Sequence, residues 1–147
     1  MGDIDEVEQA KKWIYDSLSG NAEITAVVST RIYSDYCPDP PASRVFPYVL
    51  YEYLGGNDVD GLGTSRILSE PLFQVRVVTE GRPTTATRRA AKRITDVLGV
   101  AVYQLSGDWY FTARREQPVN RPETDTATGK KYHNLGGLFR LYIGRTA

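Results

Sequence analysis

Five cations, Arg82, Arg88, Arg89, Lys92 and Arg93, follow one another with no acid between the first and the last. Guanidinium and ammonium groups attract phosphate and carboxylate, so this run points to DNA phosphates or to an acidic face of another subunit. The plainer reading is a solvated helix face. Arg114 and Arg115 extend the patch, although adjacent strand residues point to opposite faces. Arg121, Lys130, Lys131 and Tyr132 add further candidate contacts with a subunit or partner.

Covalent chemistry finds little to work with. Nucleophilic catalysis needs an imidazole within reach of a thiol or hydroxyl, and the chain offers one histidine, His133, and one cysteine, Cys37, far apart in sequence. The same pair is too few for a zinc site. Asn57-Asp58-Val59-Asp60-Gly61 looks like the middle of a calcium loop, but setting Gly61 at the turn position puts Gly56 at the first ligand position. Ile67 then falls where a bidentate glutamate is required. Gly61-Leu62-Gly63-Thr64-Ser65 lacks the lysine of a phosphate-binding loop. The sequence therefore predicts no enzyme, no metal and no cofactor.

The elements that position the cations follow from periodicity. A helix is predicted over residues 4–19, with Asp3 as cap, Val7, Ala10, Ile14 and Leu18 on its inner face, Trp13 beside them and Gly20 as its stop. Asn21 caps a short second helix through Ile24 and Val28, and Arg31-Ile32-Tyr33 is extended. Pro38, Pro40 and Pro41 forbid regular structure after it. Strands are expected over residues 45–54, 72–79, 109–117 and 135–144. In the second of these Phe73, Val75 and Val77 alternate with Gln74 and Arg76.

The basic run belongs to a helix that starts at Thr84 or Thr85 and stops at Gly99, with Ala86, Ala90, Ile94 and Val97 on its inner stripe. Residues 55–71, rich in glycine, read as a long loop or a poorly formed hairpin tip. Residues 118–134, with Pro118 and Pro122, read as a polar arm that becomes ordered against a partner. The order gives an α+β fold: one domain over residues 1–147, a mostly antiparallel sheet of about four or five strands, and two main helices packed on it.

Composition agrees with one core. The 147 residues are 41% apolar, and a net charge of zero fits neither a disordered tail nor a strongly cationic nucleic-acid binder. No apolar run approaches the roughly 20 residues of a membrane span, and the acidic opening is unlike a signal peptide, so no membrane is expected. Ten tyrosines suit half-buried interfaces.

Three stretches together resemble the tail completion proteins of long-tailed phages, the tail terminators and tail-to-head joining proteins. The first is Ile14-Tyr15-Asp16-Ser17-Leu18 with Asn21, Ala22, Ile24, Val27, Val28, Arg31, Ile32 and Tyr33. The second is Phe46-Pro47-Tyr48-Val49-Leu50-Tyr51. The third is Phe73-Gln74-Val75-Arg76-Val77 leading into the helix that ends at Leu98, with a closing strand near Leu141. The long segments 55–71 and 118–134 depart from that pattern. The resemblance implies a virion structural protein, located in the tail and neck and in the host cytoplasm during assembly. It implies a hexameric ring on the tail tube, facing the head connector or stopper, with DNA crossing the bore without sequence readout. A head-completion stopper ring is the close alternative, and a DNA-binding accessory protein a more distant one.

Overall fold

The computed structural model describes residues 3–60, 66–99 and 104–145. Helices α1 (Asp3–Ser19) and α2 (Ala22–Val28) come first, then strand β1 (Ile32–Ser34) and a single 3₁₀ turn, Pro41–Ser43. Strands β2 (Tyr48–Asp60) and β3 (Arg66–Glu80) lead to helix α3 (Thr85–Leu98), followed by β4 (Gln104–Ser106), β5 (Trp109–Thr124) and β6 (Lys131–Arg145). The strands form one sheet in the order β1-β2-β3-β6-β5-β4, antiparallel throughout except for the β1–β2 pair. The α+β architecture with helices on one face is as the periodicity requires. The strands beyond the four long ones are the three-residue β1 and β4, which cap opposite margins of the sheet.

The helix-facing side of the sheet carries Val49, Tyr51, Phe73, Val75, Val77, Phe111, Ala113, Phe139, Leu141 and Ile143. Against it pack Ala10, Trp13, Ile14 and Leu18 of α1, Ile24 and Val28 of α2, and Ala90, Ile94 and Leu98 of α3. Trp13 lies parallel to Phe111, ring centroids 5.3 Å apart. Asn21 caps α2 by accepting from the Glu23 and Ile24 amides at 3.1 and 3.2 Å.

On α3 the buried residues are Thr87, Ala90, Ile94 and Leu98, whereas Ala86 is exposed and Val97 half-buried, so the inner stripe is rotated from the one expected. The cause is the cap. Thr84 accepts from the Thr87 amide, and the Thr87 hydroxyl accepts from the Thr84 amide at 2.8 Å and donates to the Thr84 carbonyl at 3.0 Å. A threonine whose hydroxyl is satisfied at the helix start can be buried without penalty.

The other face of the sheet has its own small cluster, in which Tyr48, Leu50 and Val78 meet Cys37, Tyr33 and Phe46. The proline-rich segment folds back over this face. Part of the polar alternation in β3 is used there: Arg76 pairs with Glu52 at 3.3 Å and donates to Gln74 at 3.1 Å.

Both segments read as loops are largely strand. The β2–β3 ladder continues from Gly55↔Leu72 to Asp60↔Arg66, so residues 55–60 and 66–71 form a paired ribbon with a further register shift between Val59 and Asp60. Glycine and aspartate have low strand propensity, but pairing along the backbone does not depend on side-chain type, and a bulge at Tyr53/Gly55 uses the positive φ (123°) of Gly55. The arm is likewise held by its own chain. Ladder pairs run from Gln117↔Leu138 to Thr124↔Lys131, leaving only a turn closed by the Asp125 amide on the Lys130 carbonyl at 2.9 Å. Pro118 and Pro122 read as breakers, yet they sit in a strand whose outer edge has no strand partner there among the described residues, where a missing N–H is tolerated.

Candidate functional site

The basic run does not act as one surface, because a helix distributes it. Arg88 and Lys92 point toward β5 and, with Arg115, line a groove of about 420 Å³. Its floor is Leu135, Gly136, Pro118 and Val119, and its one acid is Asp96. Arg93 turns the other way, half-buried, 3.8 Å from Glu23 of α2 and 4.0 Å from Asp96. Arg89 is exposed. Arg82 lies ahead of the Thr84 cap, outside α3, and borders a separate hollow with Arg44, Phe46 and Glu80.

Arg114 and Arg115 part as adjacent strand residues must. Arg115 joins the groove on the helix side, while Arg114 stands opposite Arg140 on the other face. That like-charge pair is resolved by Glu116, the extra residue of a bulge between Arg115 and Gln117. Its carboxylate accepts from Arg140 Nε and Nη2, both at 3.3 Å, and lies 3.8 Å from Arg114. Arg140 Nη1 also donates to the Glu70 carbonyl at 3.0 Å, beside Pro71, where the β3–β6 ladder is interrupted.

Arg121, Lys130 and Lys131 are exposed along and around the β5–β6 turn. Tyr132 is half-buried and stacks on Phe46 with centroids 5.4 Å apart. It borders a cleft of about 480 Å³ on the face away from the helices, together with Cys37, Arg44, Arg76 and Asn134. Asn134 is 1% exposed and donates to Glu123 at 3.1 Å, a buried polar contact that no sequence pattern marks.

Cys37 and His133 are not brought together. Asn134 faces the cleft that holds Cys37, and its strand neighbour His133 bonds instead with Asn120 through Nε2, at 2.5 Å from the amide oxygen. Among the described residues no group of three or more His, Cys, Asp or Glu side chains is gathered to hold a metal ion. No helix among them is long and apolar enough to cross a membrane.

The groove owes its shape to Gly136-Gly137, a pair the strand pattern contained without explaining. A glycine inside a strand marks a close approach, and here a Cβ on Gly136 would strike the Val75 carbonyl, while one on Gly137 would lie 2.6 Å from Arg115 Cδ. The site can thus present three cations above an apolar floor.

A family model described as tail completion protein gp17 matches residues 12–133. Among solved structures, a chain from the virion of a native gene transfer agent (GTA) particle is similar, with a TM-score of 0.56 and 19% identity over 89% of this chain and 91% of that one. At that identity the likeness is one of fold. No curated protein matches.

Proposed function

The chain belongs to the tail completion protein gp17 family, a structural component of the virion tail, and from that premise we propose that it forms a hexameric ring capping the tail tube and joining it to the head connector. Its partners are then further copies of itself, the major tail tube protein and the connector or stopper protein, and DNA crosses the bore without sequence readout. The role is passive. One face of the ring copies the stacking surface of the tube and the other lacks it, so growth stops and the head can dock.

The observation that carries this reading is the family match over most of the chain. The fold supports it in one respect. A ring needs two different patches that meet head to tail, and the sheet has two unlike margins, a short parallel strand beside β2 and a short antiparallel strand beside β5. A neutral chain also suits a lumen that must let DNA slide.

Sedimentation velocity and negative-stain imaging of the purified protein, alone and with tail tubes, test the reading. Discrete rings are expected. A protein that stays strictly monomeric at high concentration and on the tubes overturns it.

A further inference from the structure

We propose that the cationic side of the fold, α3 together with the β5–β6 hairpin, holds the phosphate backbone of duplex DNA without reading its bases. This rests on the ring reading for where the DNA runs, and it names the side of each copy that meets it.

The neutral total conceals a division. Residues 1–80 carry 13 acidic and 6 basic side chains, whereas residues 81–147 carry 5 and 12. The first set builds α1, α2 and β1 to β3 and the second α3 and β4 to β6, and the strand order β1-β2-β3-β6-β5-β4 keeps the two on separate halves of the sheet. The imbalance in sequence is therefore one in space. Exposed apolar side chains divide the opposite way: Tyr15, Tyr36, Val45, Tyr53 and Leu54 all belong to the first set, and among the described residues the second has no exposed large hydrophobic side chain. A protein interface needs apolar area at its centre and is poor in lysine, so the cationic half suits an anion spread over a surface better than another folded chain.

Tertiary structure assembles the surface. Arg88 and Lys92 of α3 and Arg115 of β5 line one groove. Ahead of α3 the Gly81 amide donates to the Lys131 carbonyl at 2.7 Å, which brings the β5–β6 turn, with Lys130 and Lys131, beside Arg82. These six and Arg89 are all exposed, and among the described residues none of the seven is in an ion pair. Four acids of the same half are engaged: Glu116 with Arg140 and Arg114, Asp96 with Arg93, Glu123 with the Asn134 amide and Asp125 with the Ala127 amide. Against the seven stand Glu80 beside Arg82 and Asp96 at the groove. Such cations bind phosphate by releasing counterions, a contact that weakens with salt and lets DNA slide, and a ring repeats it around the path.

The test titrates a fluorescein-labelled duplex of about 20 base pairs with the protein, read by anisotropy from about 50 to 200 mM salt, with a polyglutamate peptide as the acidic-protein arm. With about four phosphates engaged, the association constant should fall about a hundredfold across that range. Arg88→Gln, Lys92→Gln and Arg115→Gln should each lessen the salt slope by about one and weaken binding equally for unrelated sequences. Lys12→Gln, an exposed cation of α1 on the acidic half, should change neither. Circular dichroism melting confirms folding, and sedimentation velocity follows assembly in each variant. No duplex binding at the lowest salt, binding that the three groove variants leave unchanged, or polyglutamate held as tightly as the duplex overturns the inference while the ring stands. Folded groove variants that cease to assemble also overturn it, since the groove is then a contact between copies. Duplex binding by a wild type that never forms rings removes the ring reading and leaves this surface in place.

Discussion

The aliphatic stem of Arg115 lies across Gly137, so closely that a Cβ on the glycine would sit 2.8 Å from Arg115 Cγ. Arg115, exposed overall, lines the same groove as Lys92.

Gly137→Ala and Gly136→Ala should therefore part company. At Gly137 the nearest obstacle is the Arg115 side chain, which has other rotamers, with the Gln117 carbonyl at 3.2 Å, so the variant should lose about 1 kcal/mol. At Gly136 the obstacle is the backbone of β3, which cannot yield without opening the β3–β6 ladder, and a loss of about 3 kcal/mol or more is expected. Urea unfolding of both variants checks the contrast. Equal losses would mean that Arg115 is not held by the glycine.

Glu116 stands between Arg114 and Arg140, two cations that would otherwise face each other across the β5–β6 pair. Changing it to glutamine leaves the repulsion and replaces one of the two oxygens that accept from a mostly covered guanidinium by a donor, so one of the two hydrogen bonds is lost. Glu116→Gln should cost about 1 to 2 kcal/mol, with the deficit shrinking as salt screens the arginines. Denaturation midpoints at low and high salt give the answer, and a salt-independent loss would point to packing instead.

How far the sequence reveals this molecule depends on which residues carry the information. Apolar spacing discloses α1, the alternating stretch of β3 and the existence of α3, because each buries a face against the sheet. The outer halves of β2 and β5 escape that logic. They are strands by backbone pairing, with Gly55, Gly56, Pro118 and Pro122 in their ladders, and composition argues against all four. The five-cation run is visible at once, but its division between a groove, a half-buried contact with Glu23 and open solvent depends on helix phase, which Thr87 sets through a cap that no hydrophobicity count includes. Arg114 and Arg115 both read as extensions of the basic run; strand alternation sends Arg115 to the groove with Arg88 and Lys92 and Arg114 to the opposite face beside Arg140.

The cap itself is open to measurement. Thr84→Ala removes the acceptor of the Thr87 amide and leaves the first turn of α3 unsatisfied. A loss of about 1 kcal/mol is expected, lowering the melting temperature by about 2 to 4 °C, and Thr84→Ser should restore most of it. A serine variant no better than alanine would show that the methyl group, not the hydrogen bond, matters.

Alkali should unfold the protein earlier than solvent exposure alone predicts. Burial pushes the Tyr48 phenol above the ordinary 10.0, although Arg44 draws it back, and burial does the same to Tyr51 against a hydrogen bond with Ser34. Because the folded chain binds these protons more tightly than the unfolded chain, their contribution is complete below the unfolded value and is lost as pH rises through the folded ones. Urea midpoints should be flat to about pH 9 and fall above about pH 10. Tyr48→Phe should flatten part of that fall, and a variant with an unchanged slope would exclude Tyr48 as a cause.

The longest lever on the fold is the stack of Trp13 on Phe111, parallel within 9°. Trp13 belongs to α1, and Phe111 is the last residue of β5 that β4 also holds, so the contact ties the first helix to the far margin of the sheet. Trp13 is 5% exposed and Phe111 1%, and the core around them includes Ala10, Ile14 and Ile143. Trp13→Ala opens a large void beside an aromatic ring that keeps its other neighbours, which should cost about 3 to 5 kcal/mol, whereas Trp13→Phe should recover more than half. Thermal melts with hydrogen exchange on α1 resolve the two. If the alanine variant loses protection in α1 alone while the sheet stays protected, the helix is a lid on a self-sufficient sheet; global loss of protection is the outcome expected of one shared core.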